Sequence, residues 1–242
     1  MNEKDIKTYE KKGYSLESKI IKSQEIIRYL PSKNLDSRLT NARILIASMI
    51  TELLEIREGI PGKANETTGQ ILNLIATFIQ GFGISENLIF EGQYSKVSAV
   101  LKQEYEILTR INELKNNDAK EGKNPNVKYA PKGSQKIYGK LNDISHPSNS
   151  DIISELLRKY NYADVKGVSP LPIYDKHYSE NLYKSHVFIS YEILKELILL
   201  LNEIYGDEII EELEKSDFFD YFNILKQNLI MSKVLNEKKV NA

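Results

Sequence analysis

The amino-acid sequence predicts an all-α protein built as a helical bundle. Over most of the chain, apolar residues recur three and four positions apart, which is the spacing of one helix face. Few segments alternate polar and apolar residues as strands do, and the hairpin dipeptides Asn-Gly and Asp-Gly are absent. With 242 residues, 41% of them hydrophobic, the chain is long enough to bury a substantial core.

Two helices are predicted at the N-terminal end. The first has apolar residues at helical spacing, namely Ile20, Ile27 and Leu30. We expect Pro31 to end it, because proline lacks a backbone donor and its ring clashes with the preceding turn. The second helix is marked by Ile46, Ile50, Leu53, Leu54 and Arg57. It closes at Pro61 and Gly62, which predicts an N-terminal helical pair, residues 1–62, packed on a main bundle, residues 63–242.

A third helix is expected to begin near Thr67 or Thr68, since a threonine hydroxyl can cap the first turn. Its apolar face consists of Ile71, Leu72, Ile75, Phe78 and Ile79. Gly81 and Gly83 follow, and we expect them to interrupt the helix because glycine weakens a helix interior.

A fourth helix is predicted from about Tyr94 to Lys115. Its apolar positions are Val97, Val100, Leu101, Tyr105, Leu108 and Ile111. Residues Asn116 to Ser134 show no periodicity and predict a loop. A shorter fifth helix is predicted from Gln135 to Ser145, because the residue ahead of Pro147 is pushed out of the helical region.

The C-terminal part of the chain is also predicted to be helical. A short helix is expected from Asp151 to Tyr160, followed by a loop from Asn161 to Lys176. The next helix is strongly apolar and carries Ile193, Leu197, Leu200, Leu201 and Ile204. Gly206 is expected to end it, and a further helix begins near Ile209.

Composition excludes several classes of protein. The chain has no cysteine, which rules out disulfides, thiol nucleophiles and thiolate zinc sites. The stretch from Thr67 to Ser85 is uncharged but contains polar residues and three glycines, so no membrane span is expected. The N-terminus lacks the apolar run of a secretory signal, and a cytoplasmic location is expected.

Basic residues cluster in the long loop although the net charge is −1. Seven lysines lie between Lys115 and Lys140, against two acidic residues. Such a local excess favours phosphate-bearing partners. We therefore take Lys128, Lys132 and Lys136 as candidate RNA-binding or anion-binding residues.

The segment YGKLNDISHPS, residues 138–148, holds the main candidate chemistry. His146 stands at the end of the fifth helix, where the partial negative charge of the carbonyls favours a protonated imidazole that titrates near neutral pH. Lys140 is a candidate phosphate ligand, and Asn142 is a polar residue between them. On an ideal helix Lys140 and His146 project about 120° apart, so they converge only if the helix end unwinds or a second chain completes the site.

Two other interpretations of His146 remain open. In one, His146 only caps the helix, and its ring is hydrogen-bonded inside the bundle. In the other, Asp143 and His146, three residues apart, join Glu104 of the preceding helix in a metal site. We expect the protein to have neither a metal site nor a cofactor. A di-metal site needs a second carboxylate–histidine pair, and neither of the other two histidines has an acidic residue three positions before it.

The segment from about Thr67 to Tyr205 resembles the HEPN superfamily of small helical bundles, and more narrowly a branch of uncharacterised bacterial HEPN-like proteins. The resemblance rests on four segments of the sequence: GFGISENLIFEG, AVLKQEYEIL, YGKLNDISHPS and LLLNEIYG. Active members of that superfamily are metal-independent ribonucleases with an arginine and a histidine at a dimer interface.

The resemblance implies that the arginine's role falls on Lys140 and the histidine's on His146, with Asn142 inside the motif. A lysine replaces the arginine here, and it binds phosphate as a point charge rather than bidentately. The branch often has another arginine on the preceding helix, where this chain has Lys102. Other members are non-catalytic binding modules.

Three functions follow, in order of preference. The first is a HEPN-like binding or interaction protein, acting as a homodimer on RNA or a protein partner in bacterial stress or phage defence. The second is a metal-independent endoribonuclease with a Lys140/His146 site at the dimer interface. The third is a metal-dependent bundle enzyme using Glu104, Asp143 and His146.

Overall fold

A computed structural model describes residues 3–132, 134–146, 148–162 and 165–235. The all-α bundle is confirmed, and one short hairpin accompanies the helices in this part of the chain. The helices are α1 Glu3–Asn34, α2 Ser37–Glu55, α3 Glu66–Phe90, α4 Tyr94–Lys115, α5 Gln135–Ser145, α6 Ser150–Leu156, α7 Lys176–Tyr205, α8 Glu208–Glu214 and α9 Phe218–Met231. The strands are β1 Arg158–Tyr162 and β2 Val165–Val168, and a single 3₁₀ turn spans Val127–Tyr129.

The prediction that Pro31 ends the first helix is wrong, because α1 continues to Asn34. Only its C-terminal half packs on the bundle: Ile27 is buried, and Ser23 donates a hydrogen bond to the carbonyl of Pro172. The proline lies in the last turn, where its carbonyl accepts from the backbone N–H of Leu35. A proline so close to a helix end disrupts few backbone hydrogen bonds.

Helix α2 belongs to the same apolar core as the later helices. Its buried residues are Leu39, Ala42, Ile46, Met49, Ile50 and Leu53. They pack mainly against α7 and α9. The division of the chain at residue 62 stays a prediction.

Helix α3 begins two or three residues earlier than expected and is not interrupted. Asn65 caps it by accepting from the N–H of Thr68, whose hydroxyl accepts from the N–H of Asn65. The helix then runs through Gly81 and Gly83 to Phe90. Each glycine costs about 1 kcal/mol relative to alanine, which burial of the flanking apolar residues offsets.

The predicted bounds of the fourth and fifth helices are confirmed. Helix α4 packs against α3, α5 and α7, and α7 supplies the longest buried face of the core. Helix α5 lies along α4 on the outer side of the bundle. The histidine segment is therefore placed at the surface, against α4.

The helix expected to reach Tyr160 ends at Leu156. The chain then forms an antiparallel hairpin in which β1 pairs with β2, with Tyr162 opposite Val165. Gly206 ends α7 in the left-handed region (φ 71°), and α8 follows, both as expected. Helix α9, whose Phe218, Leu225 and Leu229 are buried, was not predicted from the sequence. Among the described residues no helix is long and apolar enough to span a bilayer.

Candidate functional site

The loop before α5 is tied to α4, and this fixes where α5 lies. The hydroxyls of Tyr105 and Ser134 are 2.8 Å apart, and the Ser134 hydroxyl donates to the carbonyl of Pro131. Asn112 also donates to the carbonyl of Tyr129. These bonds anchor the start of α5 beside the middle of α4.

Side-chain pairs show that α5 runs antiparallel to α4. Lys102 Nζ donates to Asn142 Oδ1 at 2.9 Å, and the hydroxyl of Tyr138 donates to Glu106 Oε1 at 3.0 Å. The ammonium of Lys102 also lies over the Tyr138 ring, 5.5 Å from its centroid. This network holds Lys102 in place, because a cation above an aromatic face and a polar acceptor both stabilise its charge.

His146 caps the C-terminal end of α5. Its backbone N–H donates to the carbonyl of Asn142 at 3.1 Å, and its side chain is exposed. Its ring has no hydrogen-bond partner among the described residues. The reading in which the ring is bonded inside the bundle therefore receives no support, and the imidazole is accessible to a ligand.

His146 lines a groove of about 360 Å³ between α4 and α5, which we call the His146 groove. Its lining consists of Ala99, Lys102, Gln103, Glu106, Asn124, Ser145 and His146. An imidazole, an ammonium and a carboxylate thus border one small opening. These are the group types that proton transfer and phosphate binding require.

Lys140 does not border this groove within one chain. It is exposed and lines a larger cleft of about 690 Å³ between α5 and α7. Asn142 contacts the His146 groove only through its bond to Lys102. Two features of the sequence point to Lys102 as a site residue. The HEPN-like branch often carries an arginine at this position, and the spacing of Lys102 and Glu106 places both on one helix face.

The three candidate RNA-binding lysines have different environments. Lys128 Nζ donates a hydrogen bond to the Asp118 carboxylate at 2.9 Å, and this bond raises the pKa of the lysine. Its charge is thus largely neutralised by its partner. Lys132 lines the larger cleft, and Lys136 is exposed on α5.

Glu104 points into the core, not to the His146 groove. Its carboxylate accepts from Ser85 Oγ at 2.6 Å, and its second oxygen lies 3.3 Å from Nδ1 of the fully buried His186. Glu104 therefore does not join Asp143 and His146, both of which are exposed. No group of three or more potential metal ligands forms within the described ranges.

No family model, curated protein or solved structure matches this chain. The resemblance to HEPN-like proteins consequently rests on the four sequence segments quoted above.

Proposed function

We propose that this chain is a HEPN-like RNA-binding protein that holds the RNA backbone in the His146 groove. The observation that carries the proposal is that the ammonium of Lys102, which is hydrogen-bonded to Asn142, and the exposed ring of His146 border one opening. Both groups donate hydrogen bonds to phosphate oxygens when they are protonated.

The fixed position of Lys102 supports this role. A lysine ammonium has three donors, of which Asn142 takes one, so two remain for a phosphate. Because Tyr138 and Asn142 already restrain the side chain, binding orders it little further, which favours affinity. An opening of about 360 Å³ is of the size that accepts a small ligand group such as a ribose phosphate.

Action as a homodimer, a protein partner and a role in bacterial stress or phage defence remain proposals based on the resemblance. A dimer in which Lys140 of one chain faces His146 of the other is compatible with the placement of both residues at the surface.

The binding proposal is tested by fluorescence anisotropy with a short labelled single-stranded RNA at about 0.05 M and 0.2 M salt. We expect Lys102→Ala to weaken RNA binding roughly tenfold, because the variant loses one charge-assisted hydrogen bond to the phosphate. The matched control is Lys96→Ala, which removes an exposed lysine of α4 outside the groove. Equal affinity of Lys102→Ala and the wild type would reject the proposal.

A second candidate function, metal-independent RNA cleavage, is favoured by Glu106, which borders the groove together with His146. One of these groups takes the proton of the ribose 2′-hydroxyl, and the resulting oxygen attacks phosphorus. The other returns a proton to the leaving 5′-oxygen, which yields a 2′,3′-cyclic phosphate and a 5′-hydroxyl. Lys102 stabilises the charge that develops on the phosphate.

Cleavage is tested on the same RNA with and without EDTA. We expect cyclic-phosphate products that persist in EDTA and are lost in His146→Ala. Full cleavage by that variant would exclude this chemistry, and RNA binding without any cleavage would leave the binding proposal standing alone.

A further inference from the structure

The larger cleft combines a basic rim with an apolar floor. Six lysines line it: Lys132, Lys140, Lys184, Lys195, Lys226 and Lys233. Among the described residues that line it, only Asp143 and Glu192 carry carboxylates. In a chain with a net charge of −1, this local excess is complementary to an anion.

Five apolar side chains of α5 and α7 form the floor of the cleft. Ile137, Leu141 and Ile144 project from one face of α5, and Leu182 and Phe188 face them from α7. Leu141 and Leu182 are buried, whereas the other three are half-buried. Covering this partly exposed apolar surface would be favourable, at about 25 cal/mol per Å².

The rim lysines are not equally available. Lys184 pairs with Glu180 at 2.7 Å, and Lys195 pairs with Glu192 at 2.8 Å. Lys140 has no ion-pair partner within the described chain and is exposed. Lys226 lies over the Phe222 ring, 4.8 Å from its centroid, a contact that leaves its charge uncompensated by a carboxylate. Lys233 is likewise exposed and has no ion-pair partner within the described chain, so Lys140, Lys226 and Lys233 provide positive charge that no carboxylate compensates.

We propose that the cleft binds a single long-chain acyl anion, such as a fatty-acid carboxylate. Its carboxylate lies at Lys140 and Lys226, and its hydrocarbon chain lies on the floor between α5 and α7. A volume of about 690 Å³ falls within the range of small-molecule sites and encloses one chain rather than a bilayer surface. The apolar side chains of Ile137, Leu141 and Ile144 line one wall of the cleft, and a hydrocarbon chain packs against such a surface.

The test is isothermal titration calorimetry with dodecanoate, dodecanol and dodecyltrimethylammonium, each below its micelle concentration. We expect dodecanoate to bind most tightly and the cationic amphiphile most weakly. Shortening the carboxylate by one methylene should lower the affinity about fourfold, as expected for each buried methylene. Equal affinities for the anionic and cationic amphiphiles, or no binding, would overturn the proposal.

Charge-reversal variants test where the carboxylate of the ligand binds. Lys140→Glu and Lys226→Glu should each weaken dodecanoate binding at least tenfold, whereas Lys215→Glu, at an exposed position outside the cleft, should not. Circular dichroism checks that each variant is folded. If both cleft variants bind dodecanoate like the wild type, or if short RNA displaces dodecanoate, the cleft is not an acyl-anion site.

Discussion

Glu104 lies in the helical core, where a carboxylate is costly unless it is hydrogen-bonded. Ser85 and His186 provide its partners, and all three residues are buried. Together they link α3, α4 and α7. Nε2 of His186 is buried without a hydrogen-bond partner in the part of the chain that the structure describes, so the ring depends on Glu104 for its polar contact.

We expect Glu104→Ala to lower the free energy of unfolding by about 3 kcal/mol, because it leaves Ser85 and His186 buried without their acceptor. Urea denaturation followed by circular dichroism measures the change. The control is Glu106→Ala, two residues along α4, which loses only the half-buried bond to Tyr138 and should cost about 1 kcal/mol. Equal losses in the two variants would contradict the structural role of the buried cluster.

At the scale of the single element, α3 shows how local chemistry sets a helix end. Asn65 and Thr68 cap its first turn reciprocally. Each side chain accepts a hydrogen bond from the backbone N–H of the other residue, which satisfies two donors that would otherwise be unpaired. Asn65→Ala should therefore lower the free energy of unfolding by about 1 kcal/mol. Gln70→Ala, an exposed change in the same helix, should be nearly neutral, and the comparison is made by thermal unfolding.

Helix α1 divides into two halves with different packing. Residues 6–19 are exposed throughout, including Leu16, whereas Ile27 is buried against the bundle. Ile27→Ala should cost about 2–4 kcal/mol of unfolding free energy, as for other buried aliphatic truncations. Leu16→Ala should change it by less than about 0.5 kcal/mol. A large effect of Leu16→Ala in urea denaturation would show that this half is covered in solution, for example by a second chain.

At the scale of the whole molecule, buried tyrosines connect distant helices. The hydroxyl of Tyr94 bonds to both backbone groups of Asp175, and that of Tyr183 donates to Glu86. Burial raises the pKa of both hydroxyls, and it raises the pKa of Tyr191 to about 12. All three are therefore neutral in the folded protein well above pH 10.

These shifts predict alkaline unfolding. Tyrosines in the unfolded chain ionise near pH 10, whereas the buried tyrosines of the folded protein stay protonated to a higher pH. Their contribution to the free energy of unfolding is therefore complete below pH 10 and is lost as the pH rises. For Tyr191 the loss of unfolding free energy extends from about pH 10 to about pH 12. Between these values the unfolding free energy falls by at most about 1.4 kcal/mol per pH unit. Urea midpoints between pH 8 and pH 11 measure it.

Tyr191→Phe should reduce the slope above pH 10, while the exposed Tyr14→Phe should leave it unchanged. Absorbance at 295 nm follows the ionisation of the phenols. Unfolding free energy that is constant up to pH 11 would contradict the assigned burial of these hydroxyls.

Helix periodicity was sufficient to predict most elements of the bundle, including the bounds of α4 and α5. It was less informative where a local signal competed with packing: Pro31, Gly81 and Gly83 all lie within helices that tertiary contacts maintain. The hairpin after α6 was missed because its strands are short and carry only weak alternation.

The helical fold class, the absence of disulfides and the position of His146 at the end of a helix were all predictable from the sequence alone, whereas the exposure of His146 was not. The groups that surround this histidine depend on how α4 and α5 pack. Lys140 is six residues away along α5 and lines another cleft, whereas Lys102 is 44 residues away and borders the same groove. The physical reason is that a helix separates side chains by angle, while the antiparallel packing of α4 and α5 brings distant residues together.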